Sequence, residues 1–583
     1  MLSRKFLLSV IVALGISCIV TCGRIPTAKG IIWIEGHITS DTTWTPVDTY
    51  RVIDDTYVDS GVTLTIKPGV RIEFADGFSL IVEGSLNASG TEANPILLTS
   101  SRVAKDPPDP YLGAWNTITF SGNTGEFFFL SHGIIRYAKN GISLGGTGKT
   151  IVRASKIHFC LDSAVIVKNA LNTTIEKATF VENSRGLTIE GGSGITVVGN
   201  NISSNIEDGV SVIYSHWGST PHSFNSEISN NTIYLNKNGV FLLARFQGHF
   251  KDVTISKNRI FSNSENGIYL KSIGDWGMYS GGMPSSIQNV SISANTISNN
   301  GHDGIFLDAI TYLSEHGIGS SDIFNIVISE NKISSNINGI HLERHYSPDE
   351  VPGNNYGRIF NVSALNNSVF DNIYGVLCES VWSIWDVVPH VEIHRAYNNI
   401  YQNFYGMNVT GWVNETVEYN YWGDSTGPYH VSVNPAGEGN PVNCDGTDLD
   451  FIPFLTSPIG TINKRPVAIL EVDKTSPNVD ETVTFDASGS TDDGRIDYYF
   501  FDFGDGTNSS WTPLSVVTHK YASEATYNAT LIVMDDLGVT SLDGKLVYVI
   551  VTVIPEFPSI LVLPLFMIAT LLAVIVYRRK RLV

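Results

Sequence analysis

Three acidic residues occupy the same place in three similar phrases. Asp308, Glu343 and Glu379 each close a segment of the form Gly-apolar-x-apolar-acid: GIFLD from Gly304, GIHLE from Gly339 and GVLCE from Gly375. If these phrases stack, the carboxylates become neighbours, and like charges repel unless raised pKa values, a bound cation or nearby basic groups compensate. Lys271 holds the equivalent place one phrase earlier, and His341 lies two residues before Glu343. Such a set suits general acid/base work on a glycosidic bond or proton abstraction beside a uronate. It equally suits a calcium ion bridging a uronic acid. A solvated face whose charges carry no function gives the same pattern. The catalytic candidates are therefore Asp308, Glu343, Glu379, His341 and Lys271.

Within each phrase the apolar residues alternate, so each is a short strand with one face inward. The residues between and just after the apolar pair then face out. Phe241, Tyr269, Phe306, His341 and Leu377 form one outward row, and Leu243, Lys271, Asp308, Glu343 and Glu379 the next. The segments that leave these strands are rich in rings, among them Trp217, Trp276, Tyr279, Tyr312, Tyr346, Trp382 and Trp385. Together with Tyr269 they would wall a polysaccharide cleft, because aromatic faces stack on sugar rings. Folding down onto the strand wall is the alternative use for them. Cys378 falls in the inward phase and reads as core. With 14 His spread out and 6 Met, no metal-ligating set is assigned from spacing.

What positions these strands is a longer repeat. Asn-x-Ile/Val-x-x-Asn begins at Asn200, Asn231, Asn258, Asn295, Asn331, Asn367 and Asn398, and a Gly follows the second Asn within three or four residues. A weaker copy runs through Phe180, Asn183, Gly186 and Leu187. Asn and Gly tolerate left-handed backbone, so they are expected to turn the corners. A short strand cannot bury its face alone, whereas stacked copies share one core. Stacked Asn side chains would hydrogen-bond along the axis. The copies are 27 to 37 residues apart, so the excess loops outward, mostly after the Gly-Ile-x-Leu strand.

The repeat resembles right-handed parallel β-helix surface proteins of the pectate-lyase-like and NosD-like kind. Residues 60–74 (SGVTLTIKPGVRIEF) and 79–100 are similar to that family's N-terminal coils, and 420–430 (NYWGDSTGPYH) with 451–455 (FIPFL) to its closing segment. The resemblance implies fold more than activity, since this scaffold carries lyases, hydrolases, epimerases, adhesins and accessory proteins. Further on, SGSTDDG, FDFGDGT and HKY resemble a PKD domain, an immunoglobulin-like sandwich in which Phe501 stands where Trp is usual. Asp502 and Asp505 there suit turns better than calcium.

The chain ends carry address signals. A basic start and apolar run resemble an export signal (1–29), with an uncleaved anchor as the alternative. Residues 559–577 are apolar enough to cross a bilayer as a helix, and Arg578, Arg579, Lys580 and Arg581 should stay cytoplasmic. Pro555-Glu556-Phe557-Pro558 resembles the PEF-type sorting signals of archaeal surface proteins. Eleven Asn-x-Ser/Thr sequons suit an outer-surface glycoprotein, and five Cys in scattered places give no disulfide framework. A formal charge of −20 without a basic stripe excludes a nucleic-acid partner.

The expected organisation is all-β with one C-terminal transmembrane helix: export signal 1–29, β-helix 30–456, linker 457–464, PKD-like sandwich 465–553, and PEF motif, helix and basic tail 554–583. The expected role is binding of polysaccharide or a cell-surface glycan by an exported, membrane-anchored protein. A polysaccharide lyase or glycoside hydrolase is the rival, and a purely structural envelope role the third.

Overall fold

The structure, a computed structural model, describes residues 30–104, 110–215, 222–274, 284–311, 313–314, 317–318, 320–346, 357–380, 391–410, 414–445, 449–460, 465–536, 539–541 and 545–551. The chain divides into two units, Met1–Ile459 and Gly460–Val583. The expected export signal, PEF motif, span 559–577 and basic tail all lie outside the described residues. Among the described residues no helix is long and apolar enough to cross a membrane. The fold found there is all-β, with one 3-10 turn at Ser101–Ala104, so the transmembrane part of the expected fold class has no counterpart in it.

The first unit is a stack of parallel coils. One coil runs through Thr296–Ser298, Asp303–Thr311 and Ser321–Ser329, and each strand pairs in parallel with its equivalent one coil away. The strands of the third face form a single 14-stranded sheet that keeps chain order from end to end. Apolar files run along the axis inside. Val240, Ile268, Ile305, Ile340, Val376 and Met407 are successive partners, as are Ile233, Ile260, Ile297, Ile333, Val369 and Ile400, and all are buried. Each such side chain contributes about 2–3 kcal/mol of burial only because the next coil covers it.

Two buried Asn ladders line the corners. In the first, each Asn gives its backbone N–H and its Nδ2 to the Oδ1 of the Asn one coil on, from Asn200 through Asn231, Asn258, Asn295, Asn331, Asn367 and Asn398 to Asn420. The second runs likewise from Asn183 through Asn205, Asn236, Asn263, Asn300, Asn336, Asn372 and Asn403 to Asn440. The ladders thus outrun the sequence copies, which stop at Asn403.

The corner geometry corrects the role expected of Asn and Gly. The left-handed residue is the one before each ladder Asn from Asn183 to Asn420, whatever its type. Lys257, Ala294, Glu330 and Tyr397 precede the first ladder's residues, and Leu235, Ser262, Asp371 and Gln402 the second's, with φ between 53° and 60°. Such backbone costs roughly 1–2 kcal/mol per residue for an L-amino acid. The glycines of the repeat are not left-handed; they are needed for closeness. A Cβ on Gly304 would lie 2.5 Å from Ile333 Cγ2 and 2.6 Å from the Gly339 carbonyl oxygen, and Gly239, Gly267 and Gly339 are confined alike.

The second unit has two antiparallel sheets. One holds Glu471–Val472, Thr482–Asp486 and Val516–Lys520, the other Ile496–Asp502, Ala525–Asp535 and Lys545–Val551. Phe485, Phe501, Phe503 and Tyr521 fill the core between them, so the aromatic role expected of Phe501 is met. Asp502 accepts from the Gly504 N–H at 2.9 Å, and Asp505 accepts from Thr507 and lies 2.7 Å from His519 Nε2. Both carboxylates serve local turns.

Paired substitutions separate the two corner effects. Asn300→Ala leaves two buried donors of Asn263 without an acceptor and is expected to cost about 2–4 kcal/mol. Asn325→Gly acts in a surface stack (Asn361, Asn325, Asn289, Asp252) that water can replace, and should change stability by less than about 0.5 kcal/mol. In the same unfolding titrations, Ala294→Gly should stabilise by about 1 kcal/mol and Gly304→Ala destabilise by about 2–3 kcal/mol. A destabilising Ala294→Gly would refute the account of corner strain.

Candidate functional site

The face that carries the acidic residues is built from Ile268–Gly274, Asp303–Thr311, Asn338–Tyr346 and Tyr374–Ser380. Their register sets Tyr269, Phe306, His341 and Leu377 in one file, with Lys271, Asp308, Glu343 and Glu379 in the next. Phe241 and Leu243 extend the two files by one coil. All five catalytic candidates and Tyr269 therefore share one face. Trp217, Trp276, Tyr312, Trp382 and Trp385 lie outside the described residues. Tyr346 pairs through its backbone with Thr311, and its side chain is likewise outside the description.

The face is less open than alternation alone implies. Asp308 is 2 % exposed and His341 7 %, whereas Lys271, Glu343 and Glu379 are half-buried. The reason for Asp308 lies in its neighbours. The Tyr269 hydroxyl donates to Asp308 Oδ2 at 2.7 Å, and Lys271 Nζ donates to that phenol oxygen at 3.0 Å. Lys271 Nζ also lies 3.3 Å from Asp308 Oδ2. Burial first, and then the Asp308 charge, push the Tyr269 phenol far above its ordinary pKa. It stays a proton donor to the carboxylate.

His341 is held from three sides. Its ring stacks on Phe306 at 4.4 Å, and Phe306 stacks on Tyr269 at 4.8 Å. Nδ1 lies 3.1 Å from Asp303 Oδ2. On the other side Glu379 Oε2 is 3.4 Å from Nε2, which makes no aligned hydrogen bond. Burial pulls the imidazole pKa down, but Asp303, Glu379 and Glu343 outweigh it and raise the group to about 9. The ligand-type atoms of His341, Glu343 and Glu379 all fall within 4.8 Å of one another. Chain spacing alone does not show this set, because Glu379 comes from the next coil.

Three further residues escaped the sequence reading. Asp303 and Asn338 precede Gly304 and Gly339, and Asn338 Nδ2 donates to Asp303 Oδ1 at 2.6 Å. Asn266 and Asn238 hold the same place in earlier coils; Asn266 donates to Asn238 Oδ1 and accepts from the Asp303 N–H. The run of Asx before Gly was the available signal. Arg344, 3 % exposed, falls in the inward phase beside Ala309, where alternation predicts an apolar residue. Cys378 is fully buried, one coil on from Leu342 in the inward file, and belongs to the core.

Comparison with known proteins gives partial matches. A family described as a right handed beta helix region matches residues 115–275, a pectate-lyase like beta helix domain matches 36–124, and a PKD domain matches 463–551. The chain is 37 % identical over 90 residues to collagenase ColA of Clostridium perfringens, covering 15 % of this chain and 8 % of that protein. It is 38 % identical over 80 residues to a microbial collagenase of Vibrio alginolyticus, covering 14 % and 9 %. It thus spans less than a tenth of either relative. Among solved structures, the periplasmic alginate epimerase AlgG aligns at 14 % identity over 59 % of this chain and 80 % of its own, with a TM-score of 0.34. The A-module of the mannuronan C-5 epimerase AlgE6 of Azotobacter vinelandii aligns at 14 % over 74 % and 92 %, with a TM-score of 0.35. The stacked parallel coils, the sandwich and the family matches together identify the chain as a right-handed parallel β-helix protein that carries a PKD domain.

Proposed function

We propose that the face of Tyr269, Lys271, Phe306, Asp308, His341, Glu343 and Glu379 binds polysaccharide, on a protein exported and displayed at the cell surface. One observation carries the reading: a file of stacked rings runs beside a file of charged groups over successive coils. Coils repeat at about 4.8 Å, so a linear glycan laid along the axis would meet rings and hydrogen-bonding groups again and again. The rings, stacked face on face, present their edges as an apolar strip for the glycan, and the half-buried charges fix orientation. The 559–577 span and its basic tail support an outward display with the β-helix and PKD units outside.

A second reading, acid/base catalysis on the same glycan, is favoured by one feature. The Lys271, Tyr269 and Asp308 chain and the His341–Glu379 pair set two proton-carrying networks side by side.

Glycan-array binding and reducing-sugar release separate these readings when the wild type is compared with Asp308→Asn/Glu343→Gln. Binding alone should fall about tenfold or more, equivalent to about 1.4 kcal/mol, with no sugar released by either protein. Sugar release lost in the variant would establish the enzyme instead. If both assays matched wild type, neither reading would survive.

A further inference from the structure

His341 and Glu343 lie two residues apart on one strand and so share a face, while Glu379 is the direct partner of Glu343 on the next coil. Three potential ligands thus meet at adjacent points of a rigid sheet, within 4.8 Å of one another. Acidic clusters alone are common on solenoids, and the informative member here is the imidazole. His341 is more than nine-tenths buried, and its Nε2 atom makes no aligned hydrogen bond, only a loose ion-pair contact of 3.4 Å to Glu379 Oε2. Its other nitrogen is committed: Nδ1 lies 3.1 Å from Asp303 Oδ2. Asp303 is in turn fixed by Asn338 Nδ2 at 2.6 Å and by its own N–H on Asn266 Oδ1 at 3.1 Å. A carboxylate that accepts from Nδ1–H fixes the ring with Nε2 turned toward Glu343 and Glu379, and an ion bound there would take the place of the Nε2 proton. That is the usual support of a metal-ligating histidine.

We infer that His341 Nε2, Glu343 and Glu379 form a site for one divalent transition-metal ion, with Asp303 as the positioning residue. The ligand chemistry selects the ion. Calcium takes six to eight oxygens and gains nothing from a nitrogen. One imidazole with two carboxylates suits ions of the zinc, cobalt and manganese kind. Two carboxylates also neutralise the ion's charge, so a half-buried face carries no excess. A small rotation of the two half-exposed Glu side chains brings their oxygens onto the ion, while the buried ring stays still. Three protein ligands leave coordination positions open to water or a ligand oxygen.

The site is tested on the full chain, stripped of metal with a chelator and titrated with Co2+ while visible absorption is followed. Parallel equilibrium dialysis against Zn2+, Mn2+ and Ca2+ measures stoichiometry. One Co2+ or Zn2+ per chain is expected, with Ca2+ far weaker. His341→Phe, which repeats the Phe306 of the preceding coil and keeps the stack, should abolish the Co2+ band. Glu379→Gln, at the half-exposed edge, should weaken binding about tenfold or more and decides the matter if the buried substitution fails to fold. Asp303→Asn should weaken it about 10–100-fold. Binding that survives both His341→Phe and Glu379→Gln, a preference for Ca2+, or no stoichiometric binding would overturn the inference. Glycan binding measured in the presence of chelator fails or succeeds on its own, so the two proposals stay separable.

Discussion

The architecture depends on a trade made at every corner. The residue before the ladder Asn is held in left-handed backbone, at roughly 1–2 kcal/mol wherever it is neither Gly nor Asn. The Asn that follows then donates two hydrogen bonds to its counterpart one coil away and accepts two from the other side. A buried amide satisfied in this way offsets the strain and also fixes vertical register, because a slip of one residue would leave whole buried ladders unpaired. Apolar alternation also forbids a slip of one residue but is preserved by a slip of two, which the ladders exclude. The ladders therefore determine which outward side chains become neighbours.

The site inherits its geometry from that register. Asp308, Glu343 and Glu379 lie 35 and 36 residues apart in the chain and adjacent in space only because the coils between them turn identically. Asp303 joins scaffold and site directly. Through its backbone N–H and one carboxylate oxygen it belongs to the Asx stack before the repeat glycines, and through the other oxygen it orients His341. A functional group held by a structural ladder loses little conformational entropy on binding a ligand, which is what preorganisation requires.

Much of this was legible in the sequence, and the limits are instructive. The alternation of apolar residues gave both outward files in their correct order, because strand periodicity leaves no freedom once coils stack. The purpose of the glycines was misread: composition signals a corner but cannot distinguish a positive φ from a close carbonyl one coil away, and Gly304 serves the second need. The Asx residues Asp208, Asn238, Asn266, Asp303 and Asn338 went unread because Asn and Asp are mixed there and Tyr374 and Tyr405 take the place in the last two copies, so no single-letter pattern marks it. Sequons were also ambiguous. Asn172, Asn230, Asn289, Asn361 and Asn366 all sit at left-handed positions, so the fold accounts for their presence without glycosylation.

What alternation could not give was burial. The second file contains Lys168 and Glu190 toward the chain's start, partners in register and an ion pair at 3.2 Å, with side chains 52 % and 40 % exposed. Further along, the side chain of Asp308 is 3 % exposed. The direction of the side chain is the same in both places. The difference lies in the neighbours on the face: Asp308 is covered by the Tyr269 hydroxyl at 2.7 Å and the Lys271 ammonium at 3.3 Å, whereas the Lys168–Glu190 pair stays in water, where it contributes little. A carboxylate removed from solvent makes stronger hydrogen bonds than an exposed one. The same register thus yields an exposed ion pair in one coil and a buried network in another, according to which side chains the neighbouring coils supply.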